Sequence, residues 1–241
     1  MRPTVKRLLK RLLIPNVASE RAFLEHHLRQ FASRTGGQRV LDVGAGQGQY
    51  RAYFDHHRYE ACDRSDNFFD GARTDFDADV MQRIPRPDAS YDAALLCYVL
   101  EHVPCPVTAV KNVARVLRPG GQLFVSVPQA AGDHFQPEHY FNFTQWGLTS
   151  VLEQAGLEVV EHYRLDGMGN HLGNRLAKFG QILYEQMKGV SSRLVIGVPL
   201  RAVLMWLGAF VTLFDGCDRK RTYVLTHVMI ARPTGARLGD S

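Results

Sequence analysis

Two hydrophobic periods alternate along the chain. Residues 4–14 (TVKRLLKRLLI) place Leu8, Leu9, Leu12 and Leu13 on one helical stripe and basic residues on another, and Pro15 stops the pattern. Residues 18–33 keep the helical period, with Ser19 the expected N-cap. From Arg39 the period shortens. Residues 39–43 and 59–62 read as short strands, and a third, weaker strand is expected near 71–75. Residues 91–97 (YDAALLC) form a fourth. An amphipathic helix over 107–117 ends at Arg118-Pro119-Gly120-Gly121, and strand five over 122–127 ends at Pro128. Thr144 caps a helix over 144–155 that Gly156 ends; strands follow at 157–163 and 222–231, the last stopped by Pro233.

Strands alternating with helices predict an α/β fold, a mostly parallel sheet covered on both faces. With 241 residues, 45% of them hydrophobic and 22% charged, the chain suits one such domain with additions. The expected division is N-terminal helices over 1–35, a sheet domain over 36–165 and 222–233, and a helical apolar insertion over 166–221. There are no internal repeats and no low-complexity linker.

The first strand runs directly into Asp42-Val43-Gly44-Ala45-Gly46-Gln47-Gly48. Glycines let the backbone turn sharply and approach a ligand without a Cβ in the way, and the N-terminus of a helix expected after them offers N–H groups. A dinucleotide turn usually reads GxGxxG and holds a pyrophosphate. Here the spacing is GxGxG, with an acidic residue two positions before the first glycine. A carboxylate there repels a pyrophosphate and suits the ammonium of a methionine moiety, which favours S-adenosylmethionine (SAM) over a nicotinamide dinucleotide. Asp63, following the second strand, stands where a carboxylate grips a ribose diol.

Further motifs follow in order: Asp79 to Pro85; Tyr91-Asp92-Ala93-Ala94-Leu95-Leu96-Cys97-Tyr98-Val99-Leu100-Glu101-His102-Val103; and Ala114-Arg115-Val116-Leu117-Arg118-Pro119-Gly120-Gly121. From about Arg39 to Val160 the chain resembles the class I SAM-dependent methyltransferases, most of all their branch acting on small molecules, lipids and sugars. The resemblance implies a Rossmann-like seven-stranded sheet of order 3-2-1-4-5-7-6 with strand 7 antiparallel. It implies that Gly44, Ala45, Gly46 and Gly48 line the methionine end of SAM, with Asp42 beneath the turn. Asp63 would take the ribose hydroxyls and Arg64 would flank the adenine. Asp79 would bind the adenine amine, with Asp77 a competitor because of one extra residue before Pro85. Cys97 and Tyr98 would pass beside the sulfonium.

Methyl transfer from SAM is a direct displacement at carbon, so the protein mainly orients the nucleophile, and a base is needed only when a proton of high pKa must leave. His102 opens the segment after the fourth strand and is a candidate base; the alternative is that Glu101 and His102 cap and pack that segment. The loop over 132–144 (GDHFQPEHYFNFT) carries His134, His139 and Tyr140. His139 is a candidate for catalysis or substrate positioning, against a surface loop merely pinned by Phe141 and Phe143. After strand four the chain reads Cys97-Tyr98-Val99-Leu100, without the proline and side-chain amide found in enzymes that methylate exocyclic amines. An O or C nucleophile on a small substrate is expected. An inactive SAM-binding scaffold and an RNA methyltransferase are the alternatives.

Residues 194–214 (LVIGVPLRAVLMWLGAFVTLF) are apolar apart from Arg201, whose charge disfavours spanning a bilayer. Pro199 predicts that the continuous helix begins there, too short to cross. Trp206, Phe210 and the Arg219-Lys220-Arg221 run fit a membrane interface; a buried lid or a dimer contact is the other reading. A small-molecule or lipid-linked substrate and a membrane surface met through 4–14 and 194–214 are the partners expected, with packing on the domain the other reading of 4–14. The net charge is +5, yet no RNA-binding module is recognisable, so nucleic acid is not expected. The cysteines Cys62, Cys97, Cys105 and Cys217 form no CxxC pair, so neither a zinc site nor a disulfide framework is expected of them. Lys6, Arg7, Lys10 and Arg11 interrupt what would be the core of a signal peptide. These features predict a cytoplasmic protein, peripheral at the inner face of the membrane.

Overall fold

A computed structural model describes residues 17–35, 38–66, 73–221 and 223–235. The amphipathic segment over 4–14 therefore lies outside the described residues, as do Gly71 and Thr222. Helix α1 (Val17–Arg34) buries Leu24, Leu28 and Phe31, spaced at helical intervals along one side. Ser19 lies inside this helix rather than at its cap.

The sheet strands are β1 (Arg39–Val43), β2 (Arg58–Asp63), β3 (Phe76–Asp77), β4 (Tyr91–Cys97), β5 (Leu117–Pro128), β6 (Leu157–Leu165) and β7 (Thr226–Pro233). They form one seven-stranded sheet in the order β3-β2-β1-β4-β5-β7-β6. The pairs β1–β2, β1–β4, β2–β3 and β4–β5 are parallel, and β5–β7 is antiparallel. β4 lies at the centre and is buried along nearly its whole length, as expected of a strand covered on both faces.

Helix α2 (Pro106–Val116) starts on Pro106, whose missing N–H costs nothing at a first turn. It buries Ala109, Val110, Val113 and Val116 in a core shared with Leu41, Leu96, Leu123 and Val125 of the strands. Helix α3 (Gln145–Gln154) is capped as expected, the Thr144 hydroxyl accepting from the Gly147 N–H at 3.1 Å.

Several boundaries differ from the sequence expectation. The third strand is Phe76–Asp77, two residues paired with Cys62 and Asp63, and not the stretch near 71–75. β5 reaches back to Leu117. Its register on β4 slips between Tyr91 and Ala93, so Arg118-Pro119-Gly120-Gly121 is a bulge within the strand. The last strand starts at Thr226 rather than 222, and Val224 and Leu225 are buried ahead of it.

The order of strands reverses between β1 and β4, whose C-terminal ends open on a common edge. In open α/β sheets this is where ligands bind.

The described chain divides into two compact units. One holds His26–Tyr163 and the strand from Thr226 onward; the other holds the residues up to Glu25 with Arg164–Leu225. In the second unit, helices α4 (Met168–Gln186) and α5 (Val198–Thr212) form a hairpin. Asp215 Oδ1 accepts from the Gly167 and Asn170 N–H groups at 2.9 and 2.7 Å, and Asp218 from Met168 at 2.9 Å, satisfying the N-terminus of α4. Small residues set the approach of the two helices: a Cβ on Gly180 would lie 3.3 Å from the Arg201 Cα.

The helical path into α5 starts at Val190, not at Pro199. An α-turn (Val190–Ser192) and a π-turn (Arg193–Gly197) precede it. The wider π-turn sits where the proline ring would otherwise meet a carbonyl of the turn behind it. The continuous segment Val190–Cys217 has 28 residues and is long and apolar enough to cross a membrane, contrary to the shorter helix expected.

Candidate cofactor and active site

Asp42 sits near the end of β1, paired in register with Ala61 and Leu95, so its side chain enters the interior. It is 1% exposed. Burial pushes its carboxyl up to about 7, against the Tyr59 hydroxyl that hydrogen-bonds Oδ2; nearby Asp63 adds to the rise. Tyr59 carries no local sign of this role. Its β2 position predicts only a strand residue, and the pairing depends on the register of β1 with β2.

The glycine turn comes next. Gly44, Gly46 and Gly48 all have positive φ, which glycine adopts without steric cost. A Cβ on Gly44 would fall 2.4 Å from Val99 Cγ2, so the turn after β1 and the turn after β4 press against each other there. Four N–H groups of the turn are spent internally. Gly44 and Ala45 donate to the Cys62 carbonyl at 2.9 and 3.1 Å, Gly48 to the Ala45 carbonyl at 2.8 Å, and Gly46 to Asp63 Oδ2 at 2.7 Å. The chain continues into a three-residue 3-10 turn (Arg51–Tyr53), not the expected helix. Such a turn offers a pyrophosphate neither a ring of N–H donors nor a helix dipole.

Asp63 is half-buried at the end of β2. Oδ2 accepts from Gly46 and Oδ1 from the Arg64 N–H at 2.8 Å, and burial raises its carboxyl while those two bonds oppose the rise. Each oxygen keeps acceptor capacity for a hydroxyl. Arg64 grips Asp66 through two bonds of 2.8 Å and reaches Glu138 at 3.0 Å. It thereby ties the end of β2 to the loop after β5. Asp79 is engaged in its own turn, accepting from the Met81 N–H at 2.8 Å, and Asp77 is an exposed β3 residue.

Cys97 is buried and its thiol is held well above its usual range, first by burial and then by Asp42. Tyr98 follows with φ of 56°, a left-handed backbone that is strained for an aromatic residue. Its N–H donates to the Ser126 carbonyl at 2.9 Å, and its hydroxyl stands 3.1 Å from that of Thr226. Of these consecutive residues, Val99 is the one that meets the glycine turn, at Gly44.

His102 and His139 come together. Their ring centroids are 5.8 Å apart, and His134 lies between them at 4.8 and 4.5 Å. His102 Nδ1 is 2.6 Å from the Glu138 carbonyl. Burial keeps the His102 imidazole below its usual pKa, and that hydrogen bond partly offsets the drop. Glu101 is buried, and burial raises its carboxyl to about 8. Its carbonyl accepts from the Tyr140 and Phe141 N–H groups at 2.8 and 3.3 Å, which anchors the loop over it. Phe143 is buried and pins the loop, whereas Phe141 is exposed, so only one of the two expected pins acts as one. Glu138, which meets both Arg64 and His102, had no sequence signal: both contacts depend on how the loop returns.

These residues fit SAM. Asp63, half-buried with acceptor capacity left on both oxygens, suits a hydroxylated, cationic ligand beside the turn, and Asp42 lies buried beneath it.

Residues 41–125 match the family model described as a methyltransferase domain. Over 163 residues the chain is 31% identical to the Mycolicibacterium smegmatis protein named "Probable S-adenosylmethionine-dependent methyltransferase", covering 61% of this chain and 63% of that one. It is 28% identical to an O-methyltransferase of Aspergillus nomiae, covering 60% and 74%. It is 25% identical to a ubiquinone biosynthesis O-methyltransferase of Coxiella burnetii, covering 52% and 65%. The chain thus spans about two thirds of the length of these relatives. Among solved structures, the Galdieria sulphuraria protein named "putative sarcosine dimethylglycine methyltransferase" shares the fold with a TM-score of 0.55 at 16% identity, covering 88% and 86%. The matched domain, with its strand order and glycine turn, is that of a class I SAM-dependent methyltransferase.

Proposed function

We propose that this chain transfers a methyl group from SAM to an oxygen of a small hydroxylated acceptor. The observation that carries the reading is the turn over Gly44 to Gly48, four of its N–H groups satisfied internally, with the side chains of Asp42 and Asp63 beside it. SAM supplies an activated methyl group on a sulfonium. Gly44, Ala45, Gly46 and Gly48 hold its methionine end, and Asp63 takes the ribose diol. Val99, packed on Gly44 at the end of β4, excludes water beside the turn. His102, in the turn after β4, and His139, in the loop after β5, give the acceptor's proton a place to go. Oxygen is preferred because the Aspergillus and Coxiella relatives are named as O-methyltransferases.

Calorimetry with SAM, followed by assays with methyl-labelled SAM and phenolic or alcoholic acceptors, tests the reading. Expected are SAM binding and label transfer to a hydroxyl; a folded protein that does not bind SAM sinks it.

A specific observation supports a second element, an acceptor that is hydrophobic or lipid-linked and met at an anionic membrane face. The α4–α5 hairpin packs inside out. The only buried residue of α5 is Gly208, while Val203, Trp206, Leu207 and Phe210 face outward and Leu213 just beyond is 77% exposed. Helices packed through glycines with large apolar groups outward suit lipid rather than water. Lys188 and Arg193 precede the apolar run and Arg219, Lys220 and Arg221 come after it, as anionic headgroups would favour.

A further inference from the structure

The turn after β4 and the loop after β5 assemble a second constellation that cofactor binding does not use. Glu101 is 1% exposed, and no other residue hydrogen-bonds its carboxylate oxygens. A buried carboxylate left without a partner costs several kcal/mol, and a cation removes that cost. Glu101, His102 and His134 each present one donor atom, and the three atoms lie within 4.8 Å of one another.

The imidazoles are already oriented. His102 Nδ1 faces the Glu138 carbonyl at 2.6 Å, and His134 Nδ1 faces the Gly132 carbonyl at 2.9 Å. A carbonyl only accepts, so in both neutral rings Nδ1 carries the proton and Nε2 the lone pair. A carbonyl fixing the tautomer from behind is the usual outer support of a metal-ligating histidine. His139 closes the group. Its side chain is 4% exposed, its ring nitrogens have no hydrogen-bond partner, and Asp133 Oδ1 stands 3.6 Å from Nδ1.

We propose that Glu101, His102 and His134 bind a zinc-class divalent cation, with His139 the nearest further imidazole. Two imidazoles to one carboxylate suit zinc or another borderline ion over magnesium or calcium, which prefer oxygen ligands. Donors on tetrahedral zinc stand roughly 3.4 Å apart, so side-chain movements of about 1 Å complete the set. Three protein ligands leave one position open, and a dication there lowers the pKa of a ligated hydroxyl or water. The site stands on this cluster alone and does not depend on the methyl-transfer reading.

The test uses the full chain, with any purification tag removed and metal stripped by chelator. Zinc sulfate is titrated against a chromophoric competitor near neutral pH, and cobalt(II) is substituted for visible spectroscopy. Expected are one zinc per chain, cobalt bands of a nitrogen- and oxygen-ligated ion, and affinity losses on the order of 100-fold in His134→Ala and in Glu101→Gln. Absence of stoichiometric zinc, or wild-type affinity in both variants, overturns the site. Circular dichroism checks both variants, and His134→Ala, on a partly exposed loop position, decides the matter if Glu101→Gln fails to fold.

Discussion

Asp42 illustrates a residue kept at a cost to the fold. Its carboxyl titrates near 7 in the folded chain and near 3.8 when exposed. The folded state therefore holds a proton that the unfolded state releases, and stability falls as pH rises from about 4 to about 7. Above that range the penalty is complete, about 4 kcal/mol. Without cofactor, Asp42→Asn should melt higher than wild type at pH 8, with the gap shrinking toward pH 4. Scanning calorimetry across that range checks this, and parallel pH profiles would rule it out. Asp63 differs in kind, since its oxygens already serve Gly46 and Arg64. Asp63→Ala should weaken SAM binding on the order of 100-fold, from two lost hydrogen bonds to a charged acceptor; wild-type affinity by calorimetry would refute the ribose role. The positions of both aspartates were readable because strand patterns place them: Asp42 lies one residue before the end of β1, ahead of the glycine turn, and Asp63 ends β2. Tyr59 and Glu138 were not, because their partners are set by strand register and by the return of a long loop, neither of which leaves a local pattern.

At the scale of elements, strands with strong runs were readable almost to the residue. β1 and β4 match the expected 39–43 and 91–97. Errors fell where the signal was short or hidden behind turn residues. β3 is two residues long, β5 hides its start behind a Pro-Gly-Gly bulge, and the 3-10 turn after Gly48 carries the glycine spacing that a helix start also shows. Pro199 misled in the same way, since a proline marks a helix start only if the turn behind it is not already helical. The full helical run from Val190 changes the expectation for α5. Replacing Trp206 and Phe210 together by Glu should abolish co-flotation of the protein with vesicles of anionic phospholipid and leave SAM binding intact. High salt should weaken flotation of the wild type by screening Arg219, Lys220 and Arg221. Equal flotation of wild type and the double variant would remove the membrane from the picture.

For the whole molecule, the class of fold was legible from alternation alone, because a parallel sheet needs a crossover between most successive strands. What alternation does not encode is the placement of the final strand. β7 enters antiparallel between β5 and β6, and among the described residues it is the only sheet neighbour of β6. The chain nevertheless spells out the whole helical hairpin between β6 and β7. Synthesis runs in that order too. The apolar hairpin leaves the ribosome while β6 still lacks its neighbour, and the sheet closes only when Thr226 to Pro233 arrive. A nascent chain paused at that point presents an unpaired strand edge and an apolar hairpin together, the two features most prone to non-native association.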